Sequence, residues 1–297
     1  MIYSNNLWTY KDFWILSISM IVYYTNIENY RMEYIMELKL KNKIAVVFAA
    51  SKGLGKAAAL SLAAEGCRVA ICSRDNHNLE QARDEIIAKT ESDVLAQVVD
   101  VGKKSNIEKF IQMVIRNWQK IDILVTNSGG PPVKPFIDTN DEEWHTWFNN
   151  TFMSVVRSIK AVIPSMQKNK WGRIINITSV SVKVPIDNLI YSNSLRLGVV
   201  GLAKTLAAEL GPSGITVNNV APGYHLTDGL ERIIKTKMDA GMKRENILNQ
   251  WIGKIPLRRI GIPDDLAGLI TFLASDRASF LNGATIQVDG GMYPGVL

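Results

Sequence analysis

The sequence predicts an α/β protein: a doubly wound parallel sheet with helices on both faces, three layers in a single domain. Three observations predict it. Short β-branched apolar runs recur at Ile44–Phe48, Arg68–Cys72, Val94–Val99, Ile121–Val125, Arg173–Ile177, Ile215–Val220 and Thr285–Val288. They are continuous and not alternating, the pattern of parallel strands covered on both faces. Helical patterns fill the gaps between them, and strand–helix alternation with right-handed crossovers closes into an open sheet. The 297 residues, 47% hydrophobic and 21% charged, are enough for one large core.

Taken in order, residues 1–35 stand apart. They contain nine aromatic residues but no Gly, Pro or Ala; the first Ala is Ala45 and the first Gly is Gly53. Their most apolar run, Phe13–Tyr24, is about half of the ~20 residues a membrane-spanning helix needs. Neither a basic leader nor a small-residue cleavage site marks a signal peptide. The expectation is an extension outside the folded domain, with a domain over 36–297; a peripheral anchor is the sharper alternative. Helices are expected at Leu54–Glu65, which stops at the C-cap signal Gly66, and at Ser105–Trp118, Asp141–Met166, Ser194–Leu210 and Asp264–Leu273. No Pro/Gly/Ser linker or internal repeat divides the chain.

Composition narrows the function classes. The net charge of +6 comes without a block of like charges, so no nucleic-acid footprint is indicated. Two cysteines, Cys67 and Cys72, cannot staple a chain of this length, and a reduced, cytoplasmic protein is the simplest reading. His77, His145 and His225 are far apart in sequence and suggest no metal site.

The first strand runs into Ala50-Ser51-Lys52-Gly53-Leu54-Gly55, which opens a helix. Glycines there let the backbone approach a pyrophosphate, and the helix start supplies free N–H groups and the positive end of a dipole. The second strand ends in Cys72-Ser73-Arg74, where an NAD site usually carries an acidic residue for the ribose 2′-OH. Arg74, with Lys52 above it, suits a 2′-phosphate instead. NADP(H) is therefore expected over NAD(H); the plainer alternative makes Arg74 a solvated charge.

From about Leu38 to Tyr293 the chain resembles the single-domain short-chain dehydrogenase/reductases. Several landmarks carry the resemblance: the glycine loop Ala49–Gly55, Asp100-Val101 after the third strand, and Thr126-Asn127-Ser128-Gly129 after the fourth. Asn176-Ile177-Thr178-Ser179 ends the fifth strand, Pro222-Gly223-Tyr224-His225-Leu226-Thr227 follows the sixth, and the tail runs Phe272–Gly291. The resemblance implies a Rossmann-like seven-stranded sheet and hydride transfer between nicotinamide and a carbonyl or alcohol. It places Ser51, Lys52, Gly53, Leu54, Gly55, Ser73, Arg74, Asp100, Val101, Asn127, Gly129, Pro222, Gly223 and Thr227 at the cofactor. It further implies a homo-oligomer, a tetramer built on the long helices and the C-terminal strand, with Met153, Val155 and Ile159 packing between subunits.

The family's catalytic pattern is broken here. The carbonyl-polarising Ser is present as Ser179. The family's spacing puts the proton-donating Tyr on Ser192, with Tyr191 one residue early, and the Lys one turn later is Arg196. The Asn of the long helix falls on Thr151, beside Asn150. Arg196 supplies charge and hydrogen bonds to a ribose but cannot join a proton relay. On a regular helix one residue turns a side chain by about 100°, so Tyr191 reaches the substrate only if a bulge at the helix start brings it round. The expected site is thus Ser179, Tyr191 and Arg196, with Tyr224, His225 or a substrate group as alternative donors. Two functions stay open: an NADP(H)-dependent reductase, with 3-oxoacyl compounds as one candidate substrate type, and a catalytically weak member that binds the dinucleotide as a sensor or partner subunit.

On the substrate side, Leu226, Leu230, Ile233, Ile234, Met238, Met242, Ile247 and Trp251 alternate with basic residues, suggesting one or two amphipathic lid helices. Pro131, Pro132 and Pro135 stiffen the loop after Gly130 into a fixed wall. His145 and Trp147 read as structural or interface residues.

Overall fold

The computed structural model describes residues 36–296. The expectations placed on residues 1–35 lie outside them. From Leu38 on, the described residues make one compact unit. Within it seven parallel strands form one sheet in the order β3-β2-β1-β4-β5-β6-β7. They are β1 (Ile44–Val47), β2 (Arg68–Ser73), β3 (Val94–Val98), β4 (Ile123–Thr126), β5 (Gly172–Ile177), β6 (Ile215–Pro222) and β7 (Thr285–Val288). All seven expected strands are present, with ends shifted by a residue or two.

Both faces of the sheet are covered, which is why the strands read as unbroken apolar runs. On β1, Ala45 and Val47 join one core and Ile44 and Val46 the other. The first core packs α1 (Gly53–Ala64), α2 (Asn76–Thr90) and α9 (Pro263–Ala274) through Leu62, Ile86 and Ile270. The second packs α3 (Lys104–Trp118), α5 (Ser154–Asn169) and α6 (Ile190–Leu210) through Phe110, Ile159 and Val199. Each such side chain contributes on the order of 1.5–3 kcal/mol by leaving water. Val155 and Ile159 are therefore spent inside the subunit, which corrects their expected place between subunits: the stripe they form faces this chain's own sheet.

Three helices differ from expectation. Helix α2 was not anticipated, because its sequence is polar on average; only Leu79, Ala82 and Ile86 are buried, and Asp75 caps it by accepting from Asn78 N at 2.8 Å. The helix expected over Asp141–Met166 is α4 (Asp141–Trp147), a π-helical turn at Phe148–Met153, and then α5. Helix α6 starts at Ile190, four residues before the expected Ser194. The lid segment forms two helices, α7 (Asp228–Asp239) and α8 (Arg244–Lys254), around their own small core of Leu230, Ile234, Ile247 and Trp251.

The chain winds outward from β1 to β3 and then crosses to β4 on the other side of β1. That reversal opens a crevice at the carboxyl ends of β1 and β4, the place where open α/β sheets bind ligands. Among the described residues no helix is long and apolar enough to cross a membrane.

Candidate active site

The crevice begins at the turn from β1 to α1. Gly53 takes φ +55°, a left-handed conformation, and a Cβ there would lie 3.3 Å from Thr227 Cγ2. A Cβ at Gly55 would overlap the Ala49 carbonyl oxygen and lie 2.8 Å from Asn127 Nδ2. Only glycine lets α1 come this close to the end of β4. Asn127 Nδ2 donates to Ala49 O at 3.2 Å, so this side chain braces the turn. The start of α1 has no side-chain cap and no acidic residue in its first turn. Its unpaired N–H groups and dipole are thus available to an anion. Ser51 and Leu54 are half-buried beside them.

The cations expected near the ribose differ in their availability. Arg74 is exposed at the end of β2, and its Nη2 lies 3.8 Å from where a Cβ of Gly129 would stand. It spans from β2 toward the loop after β4 and makes no ion pair among the described residues. Lys52, in contrast, pairs with Asp228 at 3.2 Å. Ser73 is buried and its hydroxyl donates to Asp75 O at 3.0 Å, so it shapes the loop. Asp100 Oδ1 accepts from Gly102 N at 3.0 Å, and half-buried Val101 sits between the two.

The far wall is built by β6 and the residues after it. Pro222 pairs with Val288, and Gly223 N donates to Val288 O at 3.0 Å. Thr227 Oγ1 accepts from Leu230 N at 3.3 Å and so caps α7. One residue therefore packs on the glycine turn and starts α7. Tyr224 stacks on Trp251 of α8 at 4.8 Å between ring centroids. Burial, then the Asp187 charge, raises its phenol above the usual value. His225 is buried, with Nδ1 3.3 Å from Gly223 O, and burial lowers its pKa below the ordinary range.

Ser179 caps the short turn after β5, accepting from Ser181 N at 3.1 Å. Ser181 Oγ meets Ser192 Oγ at 3.0 Å, both buried. Arg196, one turn on, is buried and donates through Nη1 to Ile177 O at 3.0 Å. Ser192 and Arg196 thus share the face of α6 turned to the end of β5.

Tyr191 does not share it. No bulge forms: Tyr191 and Ser192 both lie within the regular helix α6, because that helix starts at Ile190. The Tyr191 ring is fully buried against Trp144 at 4.7 Å, and its hydroxyl donates to Glu143 Oε2 at 2.9 Å. This corrects the expectation that its hydroxyl turns to the Ser179 side. Burial and the bond to Glu143 raise the phenol above its usual value, the reverse of what a proton donor needs. Lys134 and then Tyr191 hold the Glu143 carboxyl below the usual range.

Lys134, Glu143 and Tyr191 make a linkage that sequence reasoning missed. Lys134 Nζ lies 3.0 Å from both Glu143 oxygens, and Lys134 N donates to Asn188 O at 2.7 Å. The proline-rich loop, α4 and the start of α6 are tied together there.

Residues 48–293 match the family model described as enoyl-(acyl carrier protein) reductase. The chain is 33% identical over 252 residues to 3-oxoacyl-acyl-carrier-protein reductase FabG of Staphylococcus epidermidis, covering 85% of this chain and 99% of that protein. It is 35% identical over 257 residues to dehydrogenase/reductase SDR family member 4 of Rattus norvegicus, covering 85% and 88%. L-sorbose reductase from Gluconobacter frateurii, solved with NADPH and L-sorbose, superposes with a TM-score of 0.84 at 28% identity, covering 88% of this chain and all of that one.

Proposed function

Since the chain belongs to the short-chain dehydrogenase/reductase family, we propose that it is an NADP(H)-dependent oxidoreductase acting on a carbonyl or alcohol, with 3-oxoacyl compounds as its substrate class. One observation carries the cofactor reading: the uncapped start of α1, opened by Gly53 and Gly55, faces the same crevice as the unpaired Arg74. Backbone N–H groups there fit a pyrophosphate, and a planar guanidinium fits a 2′-phosphate. Thr227, Pro222 and Gly223 bound the nicotinamide end, and Asp100 and Val101 the adenine end.

A nicotinamide cofactor, when bound, supplies or accepts the hydride. The remaining work falls to side chains. Ser179 donates its hydroxyl to the carbonyl oxygen and polarises it, while Ser181 N holds its oxygen in place. Arg196 keeps a permanent positive charge beneath the end of β5; burial lowers its pKa to about 10, so it stays protonated at neutral pH. Tyr191 positions the substrate wall through Glu143. The proton on the product oxygen comes by way of the Ser179 hydroxyl from water, since the Tyr191 hydroxyl is turned to Glu143. Tyr224, Trp251 and the lid helices bound the acyl side.

The same reading makes the protein a cytoplasmic homotetramer whose residues 1–35 lie outside the catalytic domain. The exposed Phe280 and Leu257 supply apolar surface for a subunit contact near the tail. NADPH fluorescence titration, followed by NADPH consumption against ketones and 3-oxoacyl thioesters, tests the proposal. Binding with turnover of a 3-oxoacyl thioester is expected. Binding without turnover across the panel selects the sensor or partner-subunit reading, and no binding removes both.

A further inference from the structure

We propose that Arg157 is a positioning residue: through it the adenosine half of the nucleotide, seated at Asp100 and Val101, orders the π-helical turn Phe148–Met153. The inference rests on the nucleotide reading above and deepens it.

The loop after β3 is bonded within itself and hands one group outward. Asp100 N donates to Asn106 Oδ1 at 3.2 Å, and Asp100 Oδ1 accepts from Gly102 N at 3.0 Å. The Gly102 carbonyl oxygen accepts from Arg157 Nη1 of α5 at 2.9 Å. The other arm of the same guanidinium, Nη2, donates to Asn149 Oδ1 of the π-helical turn at 2.9 Å. Asn149 Nδ2 donates in turn to His145 O of α4 at 3.0 Å. One half-buried side chain thus spans from the adenine-side loop to the turn. Both acceptors are neutral, so the geometry of the fork decides the choice of residue. A planar guanidinium holds two donors at a fixed angle, whereas an ammonium is a single point on a flexible stem.

A second contact runs beside the first. A Cβ at Gly102 would overlap Asn150 Oδ1, so the loop lies directly on the turn. The same turn also meets α6: Phe152 Cε2 is 3.2 Å from where a Cβ of Gly198 would stand. Helix α6 carries Ser192 and Arg196. Thr151, between Asn150 and Phe152, is buried and lines the same small cavity as Arg196. A π-helical turn inside a helix is rare and occurs mostly at functional sites. Two sites are coupled when both bias one element that packs against each. The turn is such an element, with loop 100–102 on it through Arg157 and Asn150, and α6 on it through Phe152. Arg157 is the bond by which the position of the loop is felt in the turn.

The probe is adenosine 2′,5′-bisphosphate, which carries the adenine and the 2′-phosphate but no nicotinamide. Amide hydrogen exchange is followed on the full chain, without substrate or turnover. In the unmutated protein, saturating probe should slow exchange at the start of α1 and also at Phe148–Met153, the latter by about fivefold or more. In Arg157→Met the slowing at Phe148–Met153 should vanish while that at the start of α1 stays. Asn149→Ala, which removes one acceptor and leaves the bond to Gly102, should behave alike, and it decides alone if Arg157→Met does not fold. Slowing at Phe148–Met153 that survives in either variant overturns the proposal. So does slowing confined to the start of α1 in the unmutated protein. Loss of both responses in Arg157→Met marks a merely structural role and overturns it too. No slowing anywhere in the unmutated protein removes the nucleotide reading itself, and this proposal with it.

Discussion

Replacing Arg74 with Ala should separate the two nicotinamide dinucleotides. Arg74 is exposed and makes no ion pair among the described residues, and its guanidinium reaches toward Gly129 across the crevice. A ligand phosphate therefore meets it without first breaking a native contact. Hydrogen bonds to a charged group contribute about 1.5–3 kcal/mol, and each ~1.4 kcal/mol is tenfold in Kd. Arg74→Ala should then weaken NADPH by about 10- to 140-fold and leave NADH within about threefold. Lys52 is already paired with Asp228 at 3.2 Å with half of its side chain exposed. Lys52→Ala should accordingly cost NADPH only about fivefold or less, as exposed pairs are weak, and Asp228→Asn should tighten NADPH by releasing Lys52. Fluorescence titration of both nucleotides against the three variants measures this. Equal losses for NADPH and NADH in Arg74→Ala would refute the assignment of Arg74 to the 2′-phosphate.

Three further outcomes follow from the geometry. Tyr191→Phe should leave kcat within about threefold, well short of the 10²–10⁴ a general acid supplies, while lowering Tm because Glu143 loses a buried donor; a loss of a hundredfold or more in kcat would restore Tyr191 as the proton donor. Gly55→Ala should destabilise the fold by about 1–3 kcal/mol, the usual cost of overpacking, and weaken NADPH at least tenfold, since the added Cβ meets the Ala49 carbonyl and Asn127; urea unfolding and titration read both. His225 is lowered below its ordinary 6.5 mainly by burial, so the unfolded chain takes up the proton first. Its stabilising contribution should be complete above pH 6.5 and be lost as the pH falls to the lowered folded value, and His225→Gln should flatten that slope in urea midpoints measured against pH.

The strands were legible because burial on both faces forces a continuous β-branched run, and Ile44–Val47 or Ile215–Val220 has no other plausible use. The glycine turn was legible for the same kind of reason: Gly53 takes a left-handed φ and Gly55 a close approach that glycine alone accommodates. Helix α2 escaped because three buried residues in fifteen leave a weak stripe, though Asp75 as a cap followed by Leu79, Ala82 and Ile86 was a usable signal. The direction of Tyr191 could not be read, because it depends on where α6 begins. Leu189 supplies no side-chain cap to mark that start. Contacts between distant segments, such as Lys52 with Asp228 and Glu143 with Tyr191, leave no trace in a single sequence, and they decide which charged and hydroxyl groups remain free for ligands.

A crystal structure of the protein soaked with NADP⁺ tests the central claim most directly. The adenosine 2′-phosphate should lie on Arg74, the pyrophosphate over the start of α1 at Gly53–Gly55, and the nicotinamide beside Ser179 and Thr227. A nucleotide bound outside that crevice, or one whose 2′-phosphate faces away from Arg74, would contradict it.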